Sequence, residues 1–258
     1  MLRRLALPLL LLATLPVTAG IRRETVEYRQ ADTVLEGVVV YDDALPGKRP
    51  GVLVVHQWMG LGDYEKKRAE MLAQLGYVAF CADIYGKGVR PANPQEAGKL
   101  AGKYKDDRAL LRARVNAAFA EMNRHRLVDT AHVAAMGYCF GGTTVLELAR
   151  SGSRLAGVVS FHGGLASPNP ADAKNIKARV LALHGADDPF VPAAEVQGFE
   201  KEMRDAGVDW QLVSYGGAVH SFTDWGAGTD NSRGAAYNER ADRRSWEAMK
   251  AFFAEILR

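Results

Sequence analysis

Two cysteines, Cys81 and Cys139, are all that the 258 residues contain. That scarcity excludes a disulfide framework and a four-cysteine zinc site. Charge of one sign is scarce as well. Against 30 acidic residues stand 33 basic ones, for a formal net charge of +3, and both signs are spread along the chain. Nucleic acid is therefore not expected as a partner, since it calls for concentrated basic patches. Apolar runs long enough to span a bilayer, about 20 residues, are also missing. The longest, Leu5 to Val17, falls short of that and contains Pro8 and Pro16. What remains is 48% hydrophobic and 24% charged, the balance of an ordinary globular protein. At this length a single core suffices without staples.

The first residues form a separate object. Arg3 and Arg4 precede the apolar run, and Val17-Thr18-Ala19 closes it with small or modest side chains. This is the pattern of a secretory signal peptide over residues 1–19, cut after Ala19. The expected mature chain, residues 20–258, is then one domain, periplasmic or secreted, with no membrane insertion.

Beyond this segment short apolar runs alternate with amphipathic ones. Strands are expected at 35–41, 51–55, 78–82, 132–136, 156–161, 178–183 and 210–214. Helical periodicity covers 64–75, 103–124, 143–151, 193–206 and 238–257. The alternation predicts an α/β fold with a mostly parallel central sheet and helices on both faces. The first strands precede any helix and are expected to form an antiparallel edge. The Gly-rich stretch 226–236 reads as a loop. In open α/β sheets ligands sit at the carboxyl ends of strands, so chemistry is sought there.

Gly137-Tyr138-Cys139-Phe140-Gly141 follows one strand and opens a helix. It has the form of a G-x-nucleophile-x-G elbow with cysteine in the serine position. A sharp turn needs small residues on either side of the nucleophile, and a helix N-terminus favours a thiolate. Asp187 and Asp188 follow another strand, where a carboxylate can orient a histidine. Either can equally cap a helix or fix a turn. His220 lies in a glycine-bearing loop after the last strand. Cys139, Asp188 and then His220 run in the order nucleophile, acid, histidine that α/β-hydrolases use. After the strand at 51–55 comes His56-Gln57-Trp58-Met59-Gly60, where such a fold supplies an oxyanion donor. The backbone N–H groups of Phe140 and Trp58 are the expected pair. Cys81 and His184 are expected in the core. Gln57, Tyr85, Phe161, His162 and Phe222 are candidates to line a substrate pocket. No close-spaced ligand pair suggests a metal.

These segments resemble the dienelactone hydrolase family of the α/β-hydrolase superfamily. The carriers are GYCFGG at the elbow, HGADDPFVP at the acid, GGAVHSF at the histidine and HQWMG at the oxyanion loop. Ala236-Tyr237-Asn238 and Ser245-Trp246 add to the likeness. The resemblance implies a Cys-His-Asp triad with Asp188 as its acid, a monomer, no cofactor, and a small-molecule ester or lactone as substrate. It also exposes a departure, because the founding enzymes carry Glu where this chain has Gln57. An amide cannot take up the thiol proton as that carboxylate does. Two other readings compete with a hydrolase. One is a noncatalytic small-molecule-binding protein on the same scaffold, and the other is a peptidase or acyltransferase with the same triad.

Overall fold

A computed structural model describes residues 20–258. The expected signal peptide lies outside the described residues. Eight strands form one sheet: β1 (Ile21–Gln30), β2 (Thr33–Asp42), β3 (Arg49–Val55), β4 (Val78–Ala82), β5 (Val128–Tyr138), β6 (Gly157–Phe161), β7 (Arg179–Gly185) and β8 (Trp210–Tyr215). Their spatial order is β1-β2-β4-β3-β5-β6-β7-β8. From β4 onward every neighbouring pair is parallel.

The antiparallel edge exists and includes the expected strand at 35–41, now β2, but not the one at 51–55. β1 and β2 form a hairpin, and β2 pairs antiparallel with β4. The strand at 51–55 is central instead, parallel to both β4 and β5. β1 escaped the sequence reading because it is an edge strand with charged residues in Ile21-Arg22-Arg23-Glu24. Such edges face water and carry charge that discourages further pairing.

Six helices cover the sheet: α1 (Asp63–Gln74), α2 (Pro94–Asp106), α3 (Arg108–Arg124), α4 (Phe140–Arg150), α5 (Ala193–Asp205) and α6 (Glu239–Ile256). The single helix expected over 103–124 is in fact two. Asp107 breaks it, because its side chain accepts from Leu110 N–H at 2.9 Å and caps α3 anew. α2 begins at Pro94, behind an Asn93 cap that accepts from Glu96 N–H. The loop expected at 226–236 holds one 3-10 turn, Asn231–Arg233.

Alternate residues of each strand feed opposite sides of the sheet. Leu53, Val55, Ala135 and Val158 pack with α3 and α4 residues such as Leu111, Val115, Val145 and Leu148. Val52, Val54, Ala134 and Val159 pack instead with Leu72 of α1 and Trp246, Met249 and Phe253 of α6. This period of two, buried on both faces, is why the strands read as continuous apolar runs. Among the described residues no helix is long and apolar enough to cross a membrane.

One buried ion network ties the helices on the first side. Arg150 of α4, fully buried, donates to both Glu202 oxygens at 2.8 and 2.7 Å and to Glu147 at 3.1 Å. Replacing it leaves two buried carboxylates without their shared cation. Arg150→Met is expected to lower unfolding free energy by roughly 3–5 kcal/mol in urea denaturation. A loss below about 1 kcal/mol would contradict the importance given to this network.

Candidate active site

The turn from β5 into α4 fixes the thiol of Cys139. Cys139 sits between them with φ 54° and ψ −114°, a conformation that costs free energy for any residue with a side chain. Two glycines make the turn feasible. A Cβ on Gly137 would lie 2.1 Å from Gly141 O, and one on Gly141 would lie 2.2 Å from Val55 O. Backbone cannot yield to such contacts, so only glycine fits at either position. The Cys139 N–H donates to Phe161 O at 3.0 Å and to His162 Nδ1 at 3.2 Å.

His220 enters from the loop after β8. Its Nδ1 lies 2.8 Å from Asp188 Oδ2. The backbone around it is pinned twice, since its N–H donates to Gly234 O and its carbonyl accepts from Ala236 N–H. Asp188 is buried, and its Oδ1 accepts from Phe190 N–H at 2.8 Å. Asp187 does a different job, accepting from Gly217 N–H at 3.0 Å as part of the turn. The His220 ring and the Cys139 thiol are close enough for each to stabilise the other's charged form. Phe190, largely exposed, meets the ring edge-on at 5.5 Å.

Electrostatics follow from these contacts. Burial opposes charge on both partners, but each stabilises the other's charged form. Against that desolvation, His220, Lys105 and the Phe140 N–H pull the Cys139 thiol below its ordinary value. Cys139 and Asp188 likewise overcome burial at His220 and push it up to about 10. The two titrate as a pair, with a thiolate–imidazolium state between these limits.

The loop after β3 closes another side. Gln57 N–H donates to Glu65 Oε1 at 3.1 Å, and Gly62 N–H to Glu65 Oε2 at 2.9 Å. Tyr85 OH donates to Trp58 O at 3.0 Å. Tyr85 also packs on Phe140 with ring centroids 5.3 Å apart. The Gln57 side chain is buried, and its Nε2 donates to Asp224 Oδ2 at 2.9 Å. Trp58 itself is part-exposed.

The remaining pocket candidates are buried around the site. Phe161 stacks on Tyr138 at 4.7 Å in the core beside α6. Phe222 is fully buried against His162 at 5.1 Å. His162 lies beneath His220, their ring centroids 5.3 Å apart. Cys81 and His184 are buried, as expected of core residues, and both cysteines are free. Glu65 and Asp224 were not singled out from sequence. A single acidic residue on a helix or loop gives no pattern, and only the fold brings these two to Gln57. Among the described residues, no group of three or more His, Cys, Asp or Glu side chains is arranged to hold a metal. A cleft of about 680 Å³ lies on the outer side of the histidine loop, lined by Tyr215, Asn238, Arg240 and Arg244, and does not include Cys139.

A sheet in this order, with a strained, glycine-flanked strand-to-helix elbow at the end of β5, defines an α/β-hydrolase. Within that class the chain belongs to the dienelactone hydrolase family, whose model matches residues 35–257. It is 30% identical over 213 residues to a putative carboxymethylenebutenolidase of Aquifex aeolicus, covering 81% of this chain and 89% of that one. A dienelactone hydrolase-like promiscuous phosphotriesterase from metagenomic libraries matches with 40% identity and a TM-score of 0.89. That match covers 93% of this chain and all of the other. A putative dienelactone hydrolase from Klebsiella pneumoniae shares the fold, with a TM-score of 0.79 at 23% identity over 91% of this chain and 99% of the other.

The paired charges give a direct expectation. A depressed thiol stays thiolate below the ordinary cysteine value of about 8.5 and is lost only as pH falls through its lowered value. Alkylation of Cys139 by iodoacetamide should therefore rise distinctly less than tenfold per pH unit between about pH 7 and 8.5. A rate that climbs about tenfold per pH unit across that range would mean an unpaired thiol.

Proposed function

We propose that this hydrolase acts on esters or enol lactones of small molecules, with Cys139 as nucleophile, His220 as proton carrier and Asp188 as orienting carboxylate. Buried Asp188 bonded to His220 Nδ1 at 2.8 Å, with the Cys139 thiol beside the same ring, carries this reading. The thiolate attacks the carbonyl carbon, and the oxygen takes the negative charge. Phe140 N–H and Trp58 N–H receive that oxygen. Two contacts support Trp58 in this role. The preceding amide is committed to Glu65, and the Trp58 carbonyl is held by Tyr85. The leaving oxygen departs with the His220 proton, which produces a thioester. Neutral His220 then takes a proton from water as it attacks, and the thiolate leaves again beside the imidazolium.

Gln57 alters the resting state rather than the steps. Its amide is engaged with Asp224 and offers no carboxylate to hold the thiol proton. Activation then rests on His220, Lys105 and the helix N-terminus, and is present before substrate arrives. A thiolate favours leaving groups that depart well, which points to enol lactones and aryl esters over alkyl esters and amides. The relative called a putative carboxymethylenebutenolidase agrees with a lactone substrate. The relative called a promiscuous phosphotriesterase makes phosphotriesters a natural member of a test panel. We further propose export directed by residues 1–19 and a monomeric mature chain. Intact mass of the exported protein, beginning at Gly20, checks the first, and light scattering checks the second.

Turnover of an aryl ester, an enol lactone, an anilide and a phosphotriester by purified protein, with and without Cys139→Ala, tests the central reading. The aryl ester and enol lactone should be hydrolysed fastest, and the substitution should cost roughly 10³-fold or more. Unchanged turnover in folded Cys139→Ala would refute the nucleophile. Ligand affinity without turnover in the wild type would favour a binding protein. Anilide cleavage as fast as ester cleavage would favour a peptidase.

A further inference from the structure

Four residues other than glycine have positive φ among the described residues: Ala31, Cys139, His162 and Ser221. Ala31 turns the β1–β2 hairpin. The other three surround the site, and two of them touch. Cys139 (φ 54°) shares its N–H between Phe161 O at 3.0 Å and Nδ1 of His162 (φ 39°) at 3.2 Å. His162 is held in turn by its own N–H, which donates to Leu183 O at 2.8 Å. Its ring is almost wholly buried and packs against Tyr138, His220 and Phe222.

The hydrogen-bond directions fix the tautomer. A backbone N–H can only donate, so Nδ1 must present a lone pair to Cys139. The proton therefore sits on Nε2, 2.7 Å from Thr223 Oγ1, which accepts it. Thr223 Oγ1 shares a hydrogen bond with Tyr64 OH at 2.7 Å. The Tyr64 hydroxyl also reaches Thr223 O at 3.2 Å. Arg68 Nη2 donates to that same carbonyl at 2.8 Å and to Asp242 Oδ1 at 2.5 Å. The polarity is set from the Cys139 N–H through the ring to Thr223 Oγ1. Thr223 lies three residues beyond His220, so one ring ties the nucleophile's backbone to the loop that carries its partner.

We propose that His162 is a positioning residue of this site, a permanently neutral Nε2–H imidazole that holds the strained Cys139 backbone and locks it to the His220 loop through Thr223. The proposal rests on the reading of Cys139 and His220 as the reacting pair. Its consequence falls on the step rather than on binding. The Cys139 peptide orients both the thiol and the following Phe140 N–H, so losing the acceptor at Nδ1 turns nucleophile and oxyanion donor together. A proton on Nδ1 would face the Cys139 N–H donor to donor. Burial opposes that proton, and so do the charges that face the ring, the His220 imidazolium and the Arg68 guanidinium. Tyr138 and Tyr64, the titratable groups beside them, stay neutral because burial pushes both phenols up.

The test has a wild-type arm and a variant arm. In nitrogen-15 NMR of histidine-labelled protein, His162 should show Nε2 protonated and Nδ1 bare, unchanged between about pH 5.5 and 8. A proton on Nδ1, or titration within that range, overturns the proposal whatever the fate of any variant. Among variants, His162→Phe keeps a ring without an acceptor, and His162→Asn keeps an acceptor near the Nδ1 position. His162→Phe should lower kcat for an aryl ester roughly tenfold to a hundredfold with little change in KM. His162→Asn should recover most of the loss. Equal kcat for His162→Phe and wild type, or no recovery in folded His162→Asn, would overturn it. Should His162→Phe fail to fold, Thr223→Val, which removes the Nε2 acceptor at similar volume, is expected to slow iodoacetamide alkylation of Cys139; an unchanged rate would count against the proposal. Failure of Cys139→Ala to lose activity would instead refute the nucleophile, a result separate from the His162 tautomer.

Discussion

One turn of backbone sets the constraint on which the rest of the site depends. Between β5 and α4 the chain reverses so sharply that Cys139 takes a conformation most residues avoid. The close approach of Gly137 to Gly141, and of Gly141 to Val55, leaves no room for a side chain on either glycine. The sheet holds that turn from outside, since β3 and β6 flank β5 and Phe161 O accepts the Cys139 N–H. Strain of this kind persists only when the surroundings over-determine it, and here strand order, two glycines and a buried imidazole do so together.

Charge is organised around the same point. The thiol lies at the first turn of α4, beside the Phe140 N–H and against His220. His220 is gripped by Asp188 on one side and by the backbone of Gly234 and Ala236 behind it. A buried thiol alone would be neutral and inert, as burial makes Cys81. The contrast between the two cysteines isolates the cause. Both are desolvated, but Cys81 meets the Glu65 carbonyl while Cys139 faces a carboxylate-backed imidazole. Gln57, tied to Asp224, joins the oxyanion loop to the histidine loop and adds no proton acceptor.

Much of this could be read in the sequence, for physical reasons. The buried strands are near-continuous apolar runs because helices cover both faces. The elbow glycines mark a steric requirement that no other residue meets. The order of Cys139, Asp188 and His220 follows from strand ends that the fold brings to one edge. Other parts were hidden. β1 carries edge charges in place of apolar alternation, and Asp107 divides a helix whose two halves share one period. The strand at 51–55 became central because strand order is a property of pairing, which local sequence does not express. Glu65, Asp224 and the task of His162 act on backbone amides or on a distant side chain, and such contacts leave no motif. The choice between Asp187 and Asp188 was likewise open to residue-level reading. The turn buries Asp188 toward His220 and leaves Asp187 on the Gly217 amide, a difference that local sequence does not express.

The central claim is that a Cys139 thiolate, kept charged by His220, attacks carbonyl carbon. Rapid-quench mixing of the protein with excess aryl ester, followed by mass spectrometry of the peptide spanning the elbow, tests it most directly. The account predicts a burst of leaving group close to one equivalent and the acyl group on Cys139. An acyl group on any other residue, or steady turnover with Cys139 unmodified at every quench time and no burst, would contradict it.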